Sequence, residues 1–357
     1  MKLFITGVGG LVGSAVAELA LSRGMSVTGV DADYRGQWFG KDGSVGWRLV
    51  ELQKMGATII RDDFRRQIHE LKGHDAVIHC ASQPSHDFSR ANVVEDSAVN
   101  YMGTVELLEG YRTTIPNASF VFLSTNKVYG DRINTWNYTV EGLRYVLDED
   151  NCHADGVTED LSIDQSMHTP FGVSKLAADL MVQEYGACFG LKTVTLRCGC
   201  LTGKSGSPVE LQGFLGYLVR CAVEGKPYTI YGHGGYQVRD NLAAEDLAEA
   251  ILLCAKDHKE RVYNMGGGPS NSLSVLEAID YLKNKGLDFE VKNGPPRLAD
   301  HKWWISNTRR FQRDHGWEPK KSVWSTIDEM VERKRSGRES ETGDSTLSTG
   351  ALEAARV

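Results

Sequence analysis

The chain has 357 residues, 41% of them hydrophobic, which is enough for one large core or a core plus a lobe, near two domains of ~150 residues. A formal net charge of −7 excludes a general nucleic-acid or anionic-membrane surface, while leaving room for a local basic pocket that takes one phosphorylated ligand. No apolar run approaches the ~20 residues of a membrane helix.

Met1-Lys2-Leu3 leads directly into a strand, so no cleavable leader is expected. Leu3–Thr6 reads as a short apolar strand, Leu11–Ser22 as a helix of small and apolar residues suited to packing on a sheet, and Met25–Val30 as a second strand closing in Asp31. Further strands are predicted at Ala57–Ile60, Ala76–His79 and Phe120–Ser124, with helical patterns at Ser44–Met55, Phe64–Leu71 and Ser97–Tyr111 between them. Such alternation implies right-handed crossovers and a parallel sheet covered on both faces. Asp131–His168 is polar and lacks a period; it is too long for a bare connection and reads as a functional insertion. Pro170 suits the first turn of a long helix through Tyr185, and Lys192–Arg197 returns to the sheet. Residues 201–334 carry helices, short strands and many glycines, as a smaller lobe with some segments returning to the first domain. Arg335–Val357 has no core-forming pattern and is expected to be a disordered tail. The seven cysteines are odd in number and scattered, which suits a reduced, cytoplasmic chain. Cys198 and Cys200 form a lone C-x-C without further ligands at suitable spacing, so no metal site is predicted.

The glycines at 7, 10 and 13 follow the first strand and open the first helix. Gly7 permits the tight turn, Gly10 lets the backbone approach a pyrophosphate, and Gly13 lets helix and strand pack closely. Leu11 and Val12 lie in the first helical turn, whose free N–H groups and positive dipole end suit the phosphates. Asp31 can accept both ribose hydroxyls and would repel a 2′-phosphate, which favours NAD over NADP; Arg35 nearby softens that preference. Taken alone the triplet is only a turn. Between a strand and a helix, with Asp31 ending the next strand, it predicts a Rossmann-type, doubly wound parallel α/β domain over residues 1–200.

Thr6-Gly7-x-x-Gly10-x-x-Gly13, Asp31, Asp62-Asp63-Phe-Arg65, Cys80-Ala81-Ser82-Gln83, Asn100-x-x-Gly-Thr104 and Ser124-Thr-Asn-Lys-Val-Tyr-Gly130 stand in an order that resembles the extended short-chain dehydrogenase/reductase family, whose members modify nucleotide sugars. Ser124–Asp131, the insertion after it and Gln237-Val-Arg-Asp240 are most similar to the CDP-paratose (CDP-tyvelose) 2-epimerase group, over about nine-tenths of the chain. The resemblance implies that Asp63 holds the adenine amino group, that Cys80, Ala81 and Gln83 run along the cofactor, and that Asn100 braces the sheet. It implies that Thr125 bonds the reacting hydroxyl and that Lys175 holds the nicotinamide ribose. Asn126, Arg239 and Arg297 would contact the substrate, a nucleotide diphosphate sugar with CDP favoured, the arginines through bidentate bonds to phosphate. A homodimer through a helix pair is a further implication. For each residue a plainer role exists: Cys80 and Ala81 as small core residues, Thr125 as a strand-end hydroxyl, the arginines as surface partners of Asp240 and Asp300.

One position departs from the pattern. The family's Tyr-x-x-x-Lys pair, in which the phenol moves the proton that accompanies hydride transfer, is here Phe171-Gly-Val-Ser-Lys175. A positioned acid–base group typically contributes ~10²–10⁴-fold in rate. Either another group is the base, with His168, Asp164, Lys127 and Tyr138 as candidates, or the chain binds a nucleotide sugar without turning it over, or the phenylalanine is an introduced substitution. Lys127 and Lys175 would raise the local positive potential. A dehydratase on the same scaffold is disfavoured because Asn126 and Lys127, rather than an acid pair, follow Thr125.

Overall fold

A computed structural model describes residues 1–210, 212–259 and 262–337. Among these residues, seven strands form the main sheet, in the order Val262–Met265, Lys192–Cys198, Ser119–Thr125, Ala76–His79, Lys2–Thr6, Ser26–Val30 and Thr58–Ile60. Every neighbouring pair is parallel. The strands read as apolar runs because both faces are covered. Leu3, Ile5, Ile78 and Val121 point to one side, against the helices Leu11–Ser22 and Ala244–Lys256, while Phe4, Val77, Phe120 and Phe122 point to the other, against Gly103–Thr114 and Thr169–Phe189. The order reverses between Lys2–Thr6 and Ala76–His79, and the crevice outside the carboxyl ends of strands at such a switch point is where α/β sheets hold ligands.

The smaller lobe is built on a second core that includes Leu218, Ile230, Leu273, Ile279 and Ile327. Its strand Val238–Ala243 pairs with Cys200–Thr202, Ser272–Ser274 and Trp303–Trp304, and Tyr228–Tyr231 pairs with Val291–Gly294. The helix Ala244–Lys256 packs on the helix Leu11–Ser22, and the strand Val262–Met265 is the last strand of the main sheet.

Three local expectations change. Phe64–Leu71 is not an α-helix but a pair of tight 3₁₀ turns broken at Gln67 (φ −108°, ψ 18°). Asp63 accepts from the Arg65 N–H and Asp62 accepts from the Gln67 side chain, so short acidic side chains compete with the helical ladder. Within Ser97–Tyr111 the chain makes a π-type turn over Ala98–Met102 before the helix Gly103–Thr114 begins. The polar insertion contains an antiparallel hairpin, Tyr138–Glu141 with Arg144–Leu147. That hairpin docks on the lobe through Tyr145 N–H to Tyr236 O, 2.9 Å, and the Ser274 hydroxyl to Leu143 O, 2.6 Å. Of the expected tail, Arg335 ends the helix Val323–Arg335, and residues 338–357 lie outside the described residues.

Candidate active site

A cleft of about 470 Å³ opens above the switch point and runs from Gly7, Gly10 and Asp31 to Arg239, Arg297 and Asp300. Its first half is made of backbone. Gly7 has φ 67°, and a Cβ there would lie 2.7 Å from the Ala81 Cα. A Cβ at Gly13 would overlap the Gly7 carbonyl oxygen. Only glycine lets the turn, the first helix and the Cys80–Ala81 loop approach this closely. Asp31 accepts from the N–H groups of Gly9, 2.9 Å, and Asp33, 2.8 Å, which aims its carboxylate at the turn. Burial pushes its proton affinity up, and those two amide bonds pull the other way. Arg35 is committed elsewhere: it donates to Gln212 Oε1, 2.7 Å, and to the backbone oxygens of Ser207, 2.6 Å, and Gly43, 3.3 Å. It therefore ties a lobe segment across the glycine end of the cleft. Asp63 lines the same end, accepting from Tyr34 Oη, 2.8 Å, and from Arg65.

The middle of the cleft is set by the helix Thr169–Phe189. Asp179, fully buried, receives Arg197 through two bonds of 2.9 and 3.0 Å and also the Ser124 hydroxyl. That ion pair fixes the helix against two strands one turn beyond Lys175. Lys175 Nζ donates to Leu123 O, 2.6 Å, and lies 4.2 Å from the centre of the Phe122 ring. Burial lowers its pKa to about 8, against the opposing charge of Asp179. Thr125 ends its strand within the cleft, its Oγ1 accepting from the Lys127 N–H, 3.2 Å. Phe171 lines the cleft with 7% of its surface exposed, and its ring meets that of His86 at 4.8 Å between centres.

Side chains build the far half. Asp300 receives Arg239 at 2.7 Å and lies 3.7 Å from Lys127 Nζ, which also donates to Ala299 O, 3.2 Å. Burial opposes ionisation of Asp300, but the two cations outweigh it and hold the carboxyl well below the usual range. Burial lowers Lys127 to about 8, with Asp300 countering. Arg297 lies over the Tyr231 ring at 4.2 Å, donates to Glu210 O, 2.9 Å, and stands 3.4 Å from Asp87. Both arginines thus point into the cleft already paired with carboxylates.

The cleft brings together Gly7, Gly10, Leu11, Val12, Gly13, Asp31, Asp63, Cys80, Ala81, Thr125, Asn126, Lys127, Phe171, Lys175, Arg239 and Arg297. Gln83 and Asn100 are instead turned into a buried network beside it. The Gln83 N–H donates to Asn100 Oδ1, 2.8 Å, Gln83 Nε2 to Asp96, 2.6 Å, and Asn100 Nδ2 to Ser174, 3.2 Å. Both brace the long helix. Of the four candidate bases only Lys127 lines the cleft. The His168 ring nitrogens face the carbonyls of Lys127, 3.3 Å, and Ile163, 2.8 Å; the Tyr138 hydroxyl donates to Ile133 O, 2.7 Å; and Asp164 is exposed. His86, Trp38, Tyr228 and Tyr231 also line the cleft, although none stands in a motif. For His86 a signal existed. It opens the short helix His86–Ala91 that follows Ala76–His79, beyond the carboxyl end of a switch-point strand, where ligands gather.

Residues 3–266 match the model of the NAD dependent epimerase/dehydratase family. Over 348 residues the chain is 31% identical to CDP-paratose 2-epimerase of Salmonella typhi, covering 93% of this chain and 98% of that one. It is 24% identical over 359 residues to dTDP-glucose 4,6-dehydratase of Escherichia coli, covering 93% and 92%. Among solved structures, UDP-glucose 4-epimerase of Thermus thermophilus in complex with NAD superposes with a TM-score of 0.76 at 26% identity, covering 94% of this chain and 99% of that one. With its glycine turn, Asp31 and Lys175 set along one cleft, the chain belongs to the NAD dependent epimerase/dehydratase family.

Proposed function

We propose that this protein is an NAD-dependent nucleotide-sugar epimerase that inverts one sugar carbon by transient oxidation, with a CDP-sugar as the favoured substrate. The observation that carries this reading is the single cleft joining the Gly7–Asp31 turn to Arg239 and Arg297, with Thr125 and Lys175 between them. The CDP preference rests on the kinship with CDP-paratose 2-epimerase. Residues 1–200, with their insertion 131–168, hold the cofactor, and 201–334 mainly the nucleotide sugar.

The cradle fits NAD: the overlap any Cβ would cause at Gly7 or Gly13 keeps the backbone close, and Asp31 ends the neighbouring strand. When bound there, NAD supplies a hydride acceptor and later a hydride donor. The protein's own groups do the rest. Thr125 Oγ1 orients the reacting hydroxyl, Lys175 places positive charge beneath it, and Asn126 and Lys127 border the sugar. Arg239 and Arg297 exchange Asp300 and Asp87 for the diphosphate.

Phe171 favours a second reading, a nucleotide-sugar binder that does not turn over. Absorbance of bound NAD in the purified protein, followed by product analysis across CDP-, UDP- and GDP-sugars, separates the two. An epimerised product from a CDP-sugar supports the enzyme. Bound NAD with tight sugar binding but no oxidation, both before and after Phe171→Tyr, overturns it. A homodimer is proposed from Val173 and Leu180, apolar and exposed on the helix Thr169–Phe189, and from Val94 and Met102, likewise exposed on the turns packed along it. Sedimentation of Val173→Glu tests it, monomers being expected. No described helix is long and apolar enough to cross a membrane. A reducing, cytoplasmic setting is proposed from the odd number and scatter of the seven cysteines.

A further inference from the structure

Without the family phenol the carbinol proton has no evident acceptor, and the side chain in contact with Phe171 is an imidazole. His86 opens the short helix His86–Ala91, whose first turn is capped by Ser85 Oγ accepting from the Phe88 N–H, 3.3 Å. Its ring packs on Phe171 with 4.8 Å between centres and 58° between planes, half-buried at the edge of the cleft. Nδ1 lies 3.1 Å from Thr169 Oγ1. Thr169 is β-branched yet holds φ 61°, in the left-handed region, where a non-glycine residue is strained and persists only when its surroundings enforce it. The result is a hydroxyl held against one ring nitrogen. The other, Nε2, has no hydrogen-bond partner among the described residues.

The competing groups are spoken for. Lys175 and Lys127 each donate to a backbone carbonyl, and Lys127 also faces Asp300. Held as donors, they act as fixed positive charges. His86 is the one imidazole among the described residues that line the cleft.

We propose that His86 is a catalytic residue, its Nε2 taking and returning the proton that the phenol handles elsewhere in the family, with Thr169 as the positioning residue. This rests on the epimerase reading. In the forward half the carbinol O–H bond breaks and its proton goes to Nε2, while the C–H bond breaks and its electron pair leaves as hydride to the cofactor, forming C=O. In the return half hydride adds to the opposite face, and the imidazolium gives its proton to the carbinol oxygen. Nothing is consumed. Burial, then Lys127, lowers the His86 pKa to about 3 in the free protein, Arg297 and Arg239 add to this, and Asp300 opposes it. The ring is therefore neutral near pH 7 and able to accept a proton. A diphosphate seated on Arg239 and Arg297 would offset two of the cations that lower it, so the ring's proton affinity would be higher in the complex than in the free protein.

The test is single-turnover NAD reduction on holoenzyme mixed with a CDP-sugar, beside calorimetry of sugar binding. His86→Gln should slow reduction by ~10²-fold or more, with affinity within about threefold. Phe171→Tyr in the same chain should restore at least about tenfold. Thr169→Val, which keeps the shape and removes the hydroxyl, should lower kcat without raising KM and should shift the acid limb of the pH profile. It also tests the site should His86→Gln not fold. Reduction within about threefold of the parent in His86→Gln overturns the role of His86 while the epimerase reading stands. A parent that binds the sugar and never reduces NAD overturns both.

Discussion

Gly7 and Arg239 stand at opposite ends of one cleft, and the two ends are built on different physics. At the glycine end the surface is main chain, shaped by the absence of side chains: Gly7 lies against the Ala81 backbone, and the first helix starts on Gly10. There is little to rearrange when a pyrophosphate arrives. At the arginine end every cation is already matched. Asp300 stands between Arg239 and Lys127, and Asp87 beside Arg297, so an incoming diphosphate must compete with carboxylates of the protein itself. The cofactor end is preorganised and should hold its ligand firmly. The arginine end, on the proposed reading, would exchange one anion for another, which suits a ligand that must leave after each turnover.

The sharpest way to break this contrast is Arg239→Ala. Arg239 is 7% exposed and its guanidinium is shared between Asp300 and the Val238 carbonyl, whereas Arg297 lies nearer the rim. Calorimetry should show nucleotide-sugar affinity weakened by ~2–5 kcal/mol for Arg239→Ala and by much less for Arg297→Ala. Equal small losses would mean that neither arginine grips the diphosphate.

The next effect belongs to the glycine end. In Gly13→Ala the added methyl meets the Gly7 carbonyl oxygen, which is backbone and cannot swing aside. Overpacking of this kind costs ~1–3 kcal/mol. Here the cost should appear in NAD retention and denaturant midpoint together, because the same atoms form the turn and the core contact. A variant that kept its stability but lost NAD would show that fold and cofactor site are separable at this end.

The same contrast explains what could be read without coordinates. Gly7, Gly10, Gly13 and Asp31 lie within 25 consecutive residues, and their meaning is local: a turn, a helix start, a strand end. Strand runs such as Leu3–Ile5 were legible because a sheet buried on both faces demands apolar residues at every position. The arginine end is assembled from residues 87, 127, 239, 297 and 300, whose pairings no periodicity encodes. His86 carried only the topological signal of following a switch-point strand. It belongs to a six-residue helix too short to leave a pattern, and its partners Thr169 and Phe171 come more than 80 positions later. The polar insertion concealed a hairpin because its strand Tyr138–Glu141 faces solvent over three of its four residues, which leaves no apolar alternation to read.

Asp300→Asn sharpens the competition argument. The amide keeps the shape and removes the charge, leaving Arg239 and Lys127 without their carboxylate in the free protein. Affinity for a nucleotide diphosphate should rise about tenfold, ~1.4 kcal/mol, as the internal competitor is lost. Unchanged affinity would mean that Asp300 stays paired with Arg239 in the complex and does not oppose the phosphate.

The smallest expected effect concerns cofactor choice at Asp31. Its two carboxylate oxygens are held by the amides of Gly9 and Asp33, so the charge sits in a fixed place where the adenosine ribose of a dinucleotide is expected. A 2′-phosphate brought there meets like charge, and the unmodified protein should bind NAD more tightly than NADP. Arg35 is the nearby group that could reverse this, yet its guanidinium is occupied by Ser207, Gln212 and Gly43. Asp31→Ala removes the repulsion and also the acceptors for the ribose hydroxyls. NAD should weaken while NADP changes little, narrowing the ratio by roughly tenfold, ~1.4 kcal/mol. Adding Arg35→Ala should not widen it again if Arg35 serves only as the strap to the lobe loop. It should instead speed NAD release, measured by displacement, because the loop carrying Ser207 and Gln212 loses its anchor. A wild-type protein that binds both cofactors equally would remove the discriminating role of Asp31. It would leave the glycine turn, which grips phosphates common to both, as the whole of cofactor recognition at this end.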